Sequence, residues 1–142
     1  MIIIIKAIKQ QISQLEQLQQ VLETELHLIS TRDPETLLNL LKSKEVLLDL
    51  IQTKDDLIAQ RYETLSETDK QNTELNELFD YAKKQVEQCQ YRTSINQTAV
   101  EQGQLRLEHL RNLILESRAK ESMTYDKSGR TKGGRSGKGV NA

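Results

Sequence analysis

Apolar residues recur along this chain in steps of three and four, the spacing of one face of a helix, and the alternation of a strand is missing. In the first stretch Ile5, Ile8, Ile12, Leu15, Leu22, Leu26 and Ile29 follow that rhythm, with Gln19 filling one slot. This predicts a helix over residues 2–30 laid along a partner. Ser30-Thr31-Arg32-Asp33-Pro34-Glu35 interrupts it. Asp33 is suited to cap free amides, Pro34 to the first helical position, and Glu35 to the positive end of the helix dipole. A connection this short predicts an antiparallel hairpin with a second helix over 34–65. Leu37, Leu41, Leu48, Ile51, Ile58 and Leu65 form its seam, widened by Leu38, Leu40, Leu47, Leu50 and Leu57. So broad a stripe predicts that this second helix is the central one.

A second break falls at Ser66-Glu67-Thr68-Asp69, with Thr68 or Asp69 expected as the cap. A third helix is expected over 69–120. Its heptad seam reads Leu75, Phe79, Ala82, Val86, Cys89, Thr93, Asn96, Val100, Gly103, Leu107, Leu110 and Ile114, apolar at both ends and small or polar in the middle. Gly103 costs about 1 kcal/mol against Ala in a helix interior, which predicts a close approach or a bend there. At 1.5 Å per residue the first two helices reach about 45 Å each and the third about 75 Å. The third helix should therefore overhang its partners beyond about Val100. Leu105, Leu107, Leu110, Leu113, Ile114 and Leu115 fall in that overhang, an apolar surface that calls for a partner.

Composition narrows the class. Of 142 residues, 36% are hydrophobic and 4% aromatic, too little for a thick core and enough for seams between helices. Pro34 is the lone proline and Gly103 the lone glycine before Gly129, so the turns that strands require are missing. The fold class expected is all-α: an antiparallel hairpin extended to a three-helix bundle, with a long overhanging third helix. A helical domain over 1–121 is followed by a disordered, flexible basic Gly-rich tail over 122–142. Residues 126–142 carry +4, which leaves −5 on the rest given the net −1. An acidic body of this kind does not suggest nucleic-acid binding. Met1-Ile2-Ile3-Ile4-Ile5-Lys6 is too short an apolar run for a signal peptide or a spanning helix, so a cytoplasmic protein without membrane insertion is expected.

Candidate chemistry is sparse. His109 raises the phosphotransfer fold, but the Lys and small residues that would hold a phosphoryl group do not follow it; His27 has less support still. Cys89 sits on the seam and reads as a buried small residue, with no neighbour expected to activate it. One cysteine and two histidines predict no metal site, and no phosphate loop or catalytic set occurs, so neither enzyme nor cofactor is expected. The basic segment Arg130-Thr131-Lys132-Gly133-Gly134-Arg135 has no interleaved aromatic that could stack on bases. Tyr125, a single aromatic in a polar segment, is a candidate peptide anchor.

The stretch Cys89-Gln90-Tyr91-Arg92-Thr93-Ser94-Ile95-Asn96, the apolar end of the third helix after Gly103, and the ending Thr124-Tyr125-Asp126-Lys127-Ser128-Gly129-Arg130 resemble the FlgN-type flagellar export chaperones. The leucine-rich second helix with Lys44-Glu45 and Lys54 is similar as well. Members carry an Asn-Gly pair where this chain has Gln102-Gly103. The resemblance implies a chaperone of flagellar type III export. Such a chaperone binds the hook–filament junction proteins FlgK and FlgL, prevents their early assembly, and passes them to the export gate protein FlhA. It implies substrate binding through the C-terminal helix, where Leu105 to Leu115 lie, and gate docking through Tyr125. The alternative is a structural or adaptor coiled-coil protein that homodimerises through the third helix.

Overall fold

The computed structural model describes the backbone of residues 1–31 and 33–127, and the side chains of residues 1–31 and 33–121. Among these the secondary structure is all helical: α1 (Ile2–Ser30), α2 (Pro34–Glu63), α3 (Glu67–Lys70) and α4 (Thr73–Lys127). The chain divides into two compact units, Met1–Ala99 and Val100–Ala142.

The start of α2 follows from its sequence. Asp33 accepts from the Thr36 amide at 3.2 Å and from the Thr36 hydroxyl at 2.6 Å, and Pro34 opens the helix. These two bonds favour the ionised carboxylate and hold Asp33 below its usual range. The second break is built differently from the expectation. Ser66 caps the one-turn α3 by accepting from the Asp69 amide, and Asn72 accepts from the Leu75 amide at 3.0 Å at the head of α4. Thr68 and Asp69 lie inside α3 and cap nothing. At its far end α4 continues through Lys127, past the stop expected near Lys120. The remainder of the expected tail, residues 128–142, lies outside the described residues.

In the first unit α1, not α2, is central. Ile4, Ala7, Ile8, Gln11, Ile12, Leu15, Leu18, Leu22 and Glu25 of α1 are buried, against Leu47 and Ile58 of α2. One side of α1 meets α2 antiparallel: Gln11 donates to Ile51 O and Asp55, Lys54 donates to Gln10, and Leu18 and Leu22 pack with Leu47. The other side meets α4 parallel, through Lys9–Glu74, Tyr81–Glu16 and Gln19–Gln85. The heptad row Ile4–Gln11–Leu18–Glu25 faces inward although two of its members are polar, which hides the width of the buried face of α1 from a hydrophobic pattern. Conversely, Leu38, Leu48 and Leu50 of α2 are exposed.

The core is thin, as the composition requires. Ile4, Ile8, Leu15, Ile58, Leu75 and Ala82 form one cluster, and Leu18, Leu22, Leu47 and Cys89 a second. Tyr62 meets Phe79 edge to face at 5.6 Å between centroids, and Lys70 covers the Tyr62 ring. On α4 the inward row is Leu75, Leu78, Ala82, Gln85, Cys89, Arg92, Asn96. Val86 and Thr93, expected on the seam, are exposed. Phe79 packs against the core as expected, with Leu78 beside it; further along, Gln85 and Arg92 take the inward places one residue before Val86 and Thr93.

Candidate partner-binding surface

Two parts of α4 stand out in the sequence, and they do different work. The stretch Cys89–Asn96, in the first unit, is a clamp onto α1. Cys89 Sγ donates to Leu15 O at 3.6 Å. Arg92 donates through Nε to Gln19 at 3.1 Å and pairs with Glu23 at 2.8 Å. Asn96 uses both amide protons, one on Leu22 O at 3.0 Å and one on Glu25 Oε1 at 2.6 Å. Lys44 of α2 holds the other Glu25 oxygen at 2.9 Å. A buried carboxylate thus ties three helices together, with charge-assisted bonds on both oxygens offsetting its desolvation.

Burial pushes the Cys89 thiol up, and this outweighs the smaller downward pull of Arg92. Arg92 is a basic neighbour that the sequence reading did not place there. The outcome is still an unreactive thiol, as burial in a seam implies.

The second unit is described through the helical residues from Val100 onward. Leu107 (69% exposed), Leu105 (57%), Leu110 (54%), Leu113 (48%) and Ile114 (45%) stand open, while Leu115 is half-buried. At about 100° per residue, Leu107, Leu110 and Ile114 share one stripe with Gly103, and Leu113 borders it. Leu105 lies on the opposite side of the helix and Leu115 off the stripe. As the spacing implies, Leu107, Leu110 and Ile114 continue one row while Leu105, Leu113 and Leu115 point elsewhere, Leu113 being the nearest to the row.

Gly103 opens that row. A Cβ built on it would meet nothing within 4 Å, and α4 runs through it as one helix. Of the close approach or bend expected at Gly103, the close approach is not found among the described residues. Without a side chain, Gly103 leaves space beside its backbone at the head of the stripe.

The polar residues around the stripe are sorted by sign. Arg106 lies on one border; Arg111 and Arg118, a heptad apart, lie on the other; all three are exposed. Glu101 and Glu116 lie on the reverse side with Leu105, while Glu108 sits just outside Arg111 and lines a shallow surface depression with Gln104, Leu107 and Arg111. This arrangement escaped the sequence reading, although its signal is simple spacing about the Leu107–Leu110–Ile114 row. His109 is exposed and also lies away from the stripe. Tyr125 falls within α4, and its side chain lies outside the described residues.

Among the described residues no group of His, Cys, Asp or Glu could hold a metal ion, and no helix is long and apolar enough to cross a membrane. The sequence profile of the family described as FlgN protein matches residues 1–133 of the chain. No curated protein and no solved structure matches it.

Proposed function

The chain belongs to the FlgN protein family, which implies a flagellar export chaperone, and we propose that its cargo is the pair of hook–filament junction proteins FlgK and FlgL. The chaperone works in the cytoplasm. It captures an amphipathic helix of the cargo, keeps the cargo from assembling early, and delivers it to the export gate protein FlhA.

The observation that carries this reading is the exposure of Leu107, Leu110 and Ile114 in one row, with Leu113 nearest to it. Four large aliphatic side chains left in water on or beside one row represent binding free energy not used by the fold, at about 25 cal/mol per Å² covered. Helix-in-groove capture uses such a stripe with anchors three and four residues apart. Leu105 and Leu115 belong to the same segment and add contact only where a cargo helix wraps further around α4. Tyr125 is the proposed gate contact, separated from the end of the stripe at Ile114 by about three turns of helix.

Co-purification with FlgK and FlgL tests the cargo reading. The wild-type chain retains both, and Leu110→Asp with Ile114→Asp loses both while keeping its helicity, because each substitution trades an aliphatic contact for a carboxylate that must be desolvated in the interface. Retention of cargo by that variant would sink the reading. For the gate contact, Tyr125→Ala keeps cargo and weakens capture of FlhA; unchanged FlhA capture removes Tyr125 from the scheme.

A further inference from the structure

The stripe in the second unit is bordered by one sign of charge. Arg106 precedes Leu107 and lies one turn from Leu110. Arg111 lies one turn beyond Leu107, and Arg118 one turn beyond Ile114. All three guanidinium groups belong to exposed residues, while Glu101 and Glu116 project from the other side of the helix and Glu108 stands outside the border, next to Arg111. Neither border of the stripe carries a carboxylate between Gly103 and Arg118; Glu121 closes the row after Ser117. In paired helices the residues beside the apolar stripe meet their counterparts across the interface and set which partners are accepted. Opposite charges there attract and like charges repel, and repulsive borders exclude wrong partners as effectively as attractive ones admit right ones.

Building on the docking face proposed above, we propose that its occupant is an amphipathic helix whose apolar stripe is bordered by carboxylates, and that the arginine borders oppose pairing with a second copy of this chain. A second copy laid on the stripe in either direction brings its own Arg106, Arg111 and Arg118 borders against the first. The desolvated arginines then gain no counter-charge from the borders of the second copy. An acid-bordered helix supplies them, and each Arg can take a carboxylate through two parallel bonds. The space beside the Gly103 backbone lets the end of such a helix lie close. Selection against self-pairing keeps the face available until the cargo arrives.

Two synthetic peptides of about three heptads test this with the full chain. Both carry the same leucine stripe; one has Glu and the other Lys at every border position. Fluorescence anisotropy should show the Glu peptide binding at least about tenfold more tightly, since several half-exposed pairs each add a few tenths of a kcal/mol. That preference should shrink as salt rises. Arg106→Glu, Arg111→Glu and Arg118→Glu together should reverse the order of the two peptides without loss of helicity. Equal binding, a Lys preference, or a preference unmoved by the triple reversal overturns the proposal. So does a tight homodimer of the wild-type chain that Leu110→Asp dissolves. The Leu110→Asp, Ile114→Asp variant separates this failure from that of the docking face. If it loses the peptides while the charge reversal changes nothing, the face stands and the charge rule falls. If it keeps them, or if neither peptide binds the wild type, both fall.

Discussion

Asn96 Nδ2 lies 2.6 Å from Glu25 Oε1, joining α4 to a carboxylate that is only 5% exposed. The second oxygen of that carboxylate takes Lys44 from α2. Removing one partner strands a buried acceptor, whereas removing both polar groups together need not. Asn96→Ala should therefore lower stability by about 2 kcal/mol, read as a lower urea midpoint. Glu25→Leu combined with Asn96→Leu should recover most of that loss, because Lys44 can turn its ammonium to solvent. A double variant less stable than the sum of its single variants contradicts this account.

Gly103→Ala should stabilise the second unit. The added methyl meets nothing within 4 Å, and Ala is favoured over Gly in a helix interior by about 1 kcal/mol. Amide hydrogen exchange over residues 100–121 should slow several-fold. Unchanged or faster exchange would mean that the residue relieves a strain not visible in the helix.

Cys89 gives a pH dependence with a definite sign. Its thiol is raised by burial, so the folded state holds the proton more tightly than the unfolded one. The contribution is complete below the unfolded thiol pKa of about 8.5. It is lost as pH climbs from there through the raised folded value. The stability difference between wild type and Cys89→Ala should accordingly move against wild type between pH 7.5 and pH 9.5. A thiol reagent should label the native chain far more slowly than the urea-unfolded one. Equal labelling rates contradict a buried thiol.

Asp33 works in the opposite direction. Its carboxyl is held low by the Thr36 bonds, so its contribution is present above the unfolded Asp pKa and fades as pH falls through the lowered folded value. Asp33→Ala should lower the thermal midpoint at neutral pH and fray the start of α2, and the gap to wild type should close in strong acid. A gap independent of pH would remove the cap from the account.

These residues also show how far the fold was legible beforehand. The all-helical class and the Asp33-Pro34 start of α2 follow from local chemistry that a sequence displays directly. The identity of the central helix does not. Gln11 and Glu25 occupy buried positions of α1 because Asp55, Lys44 and Asn96 come to meet them, and those partners are 19 to 71 residues away along the chain. The leucines of α2 invite the opposite conclusion, since an exposed Leu38 and a buried Leu47 look alike as letters. The one-residue shift of the α4 seam has a similar cause. Gln85 and Arg92 reach Gln19 with their polar ends while Val86 is left open. At the candidate site, spacing alone reveals the Leu107–Leu110–Ile114 stripe and its arginine borders. The open space above Gly103 needed coordinates.

Calorimetric titration of the purified chain with FlgK measures the central claim most directly. The account predicts saturable binding by the wild type. It predicts a loss of at least about 100-fold for Leu110→Asp with Ile114→Asp, since two aliphatic anchors are lost and two carboxylates must be desolvated, together costing several kcal/mol. The far-UV circular dichroism of that variant should match wild type. Undiminished affinity in a fully helical double variant would contradict the account.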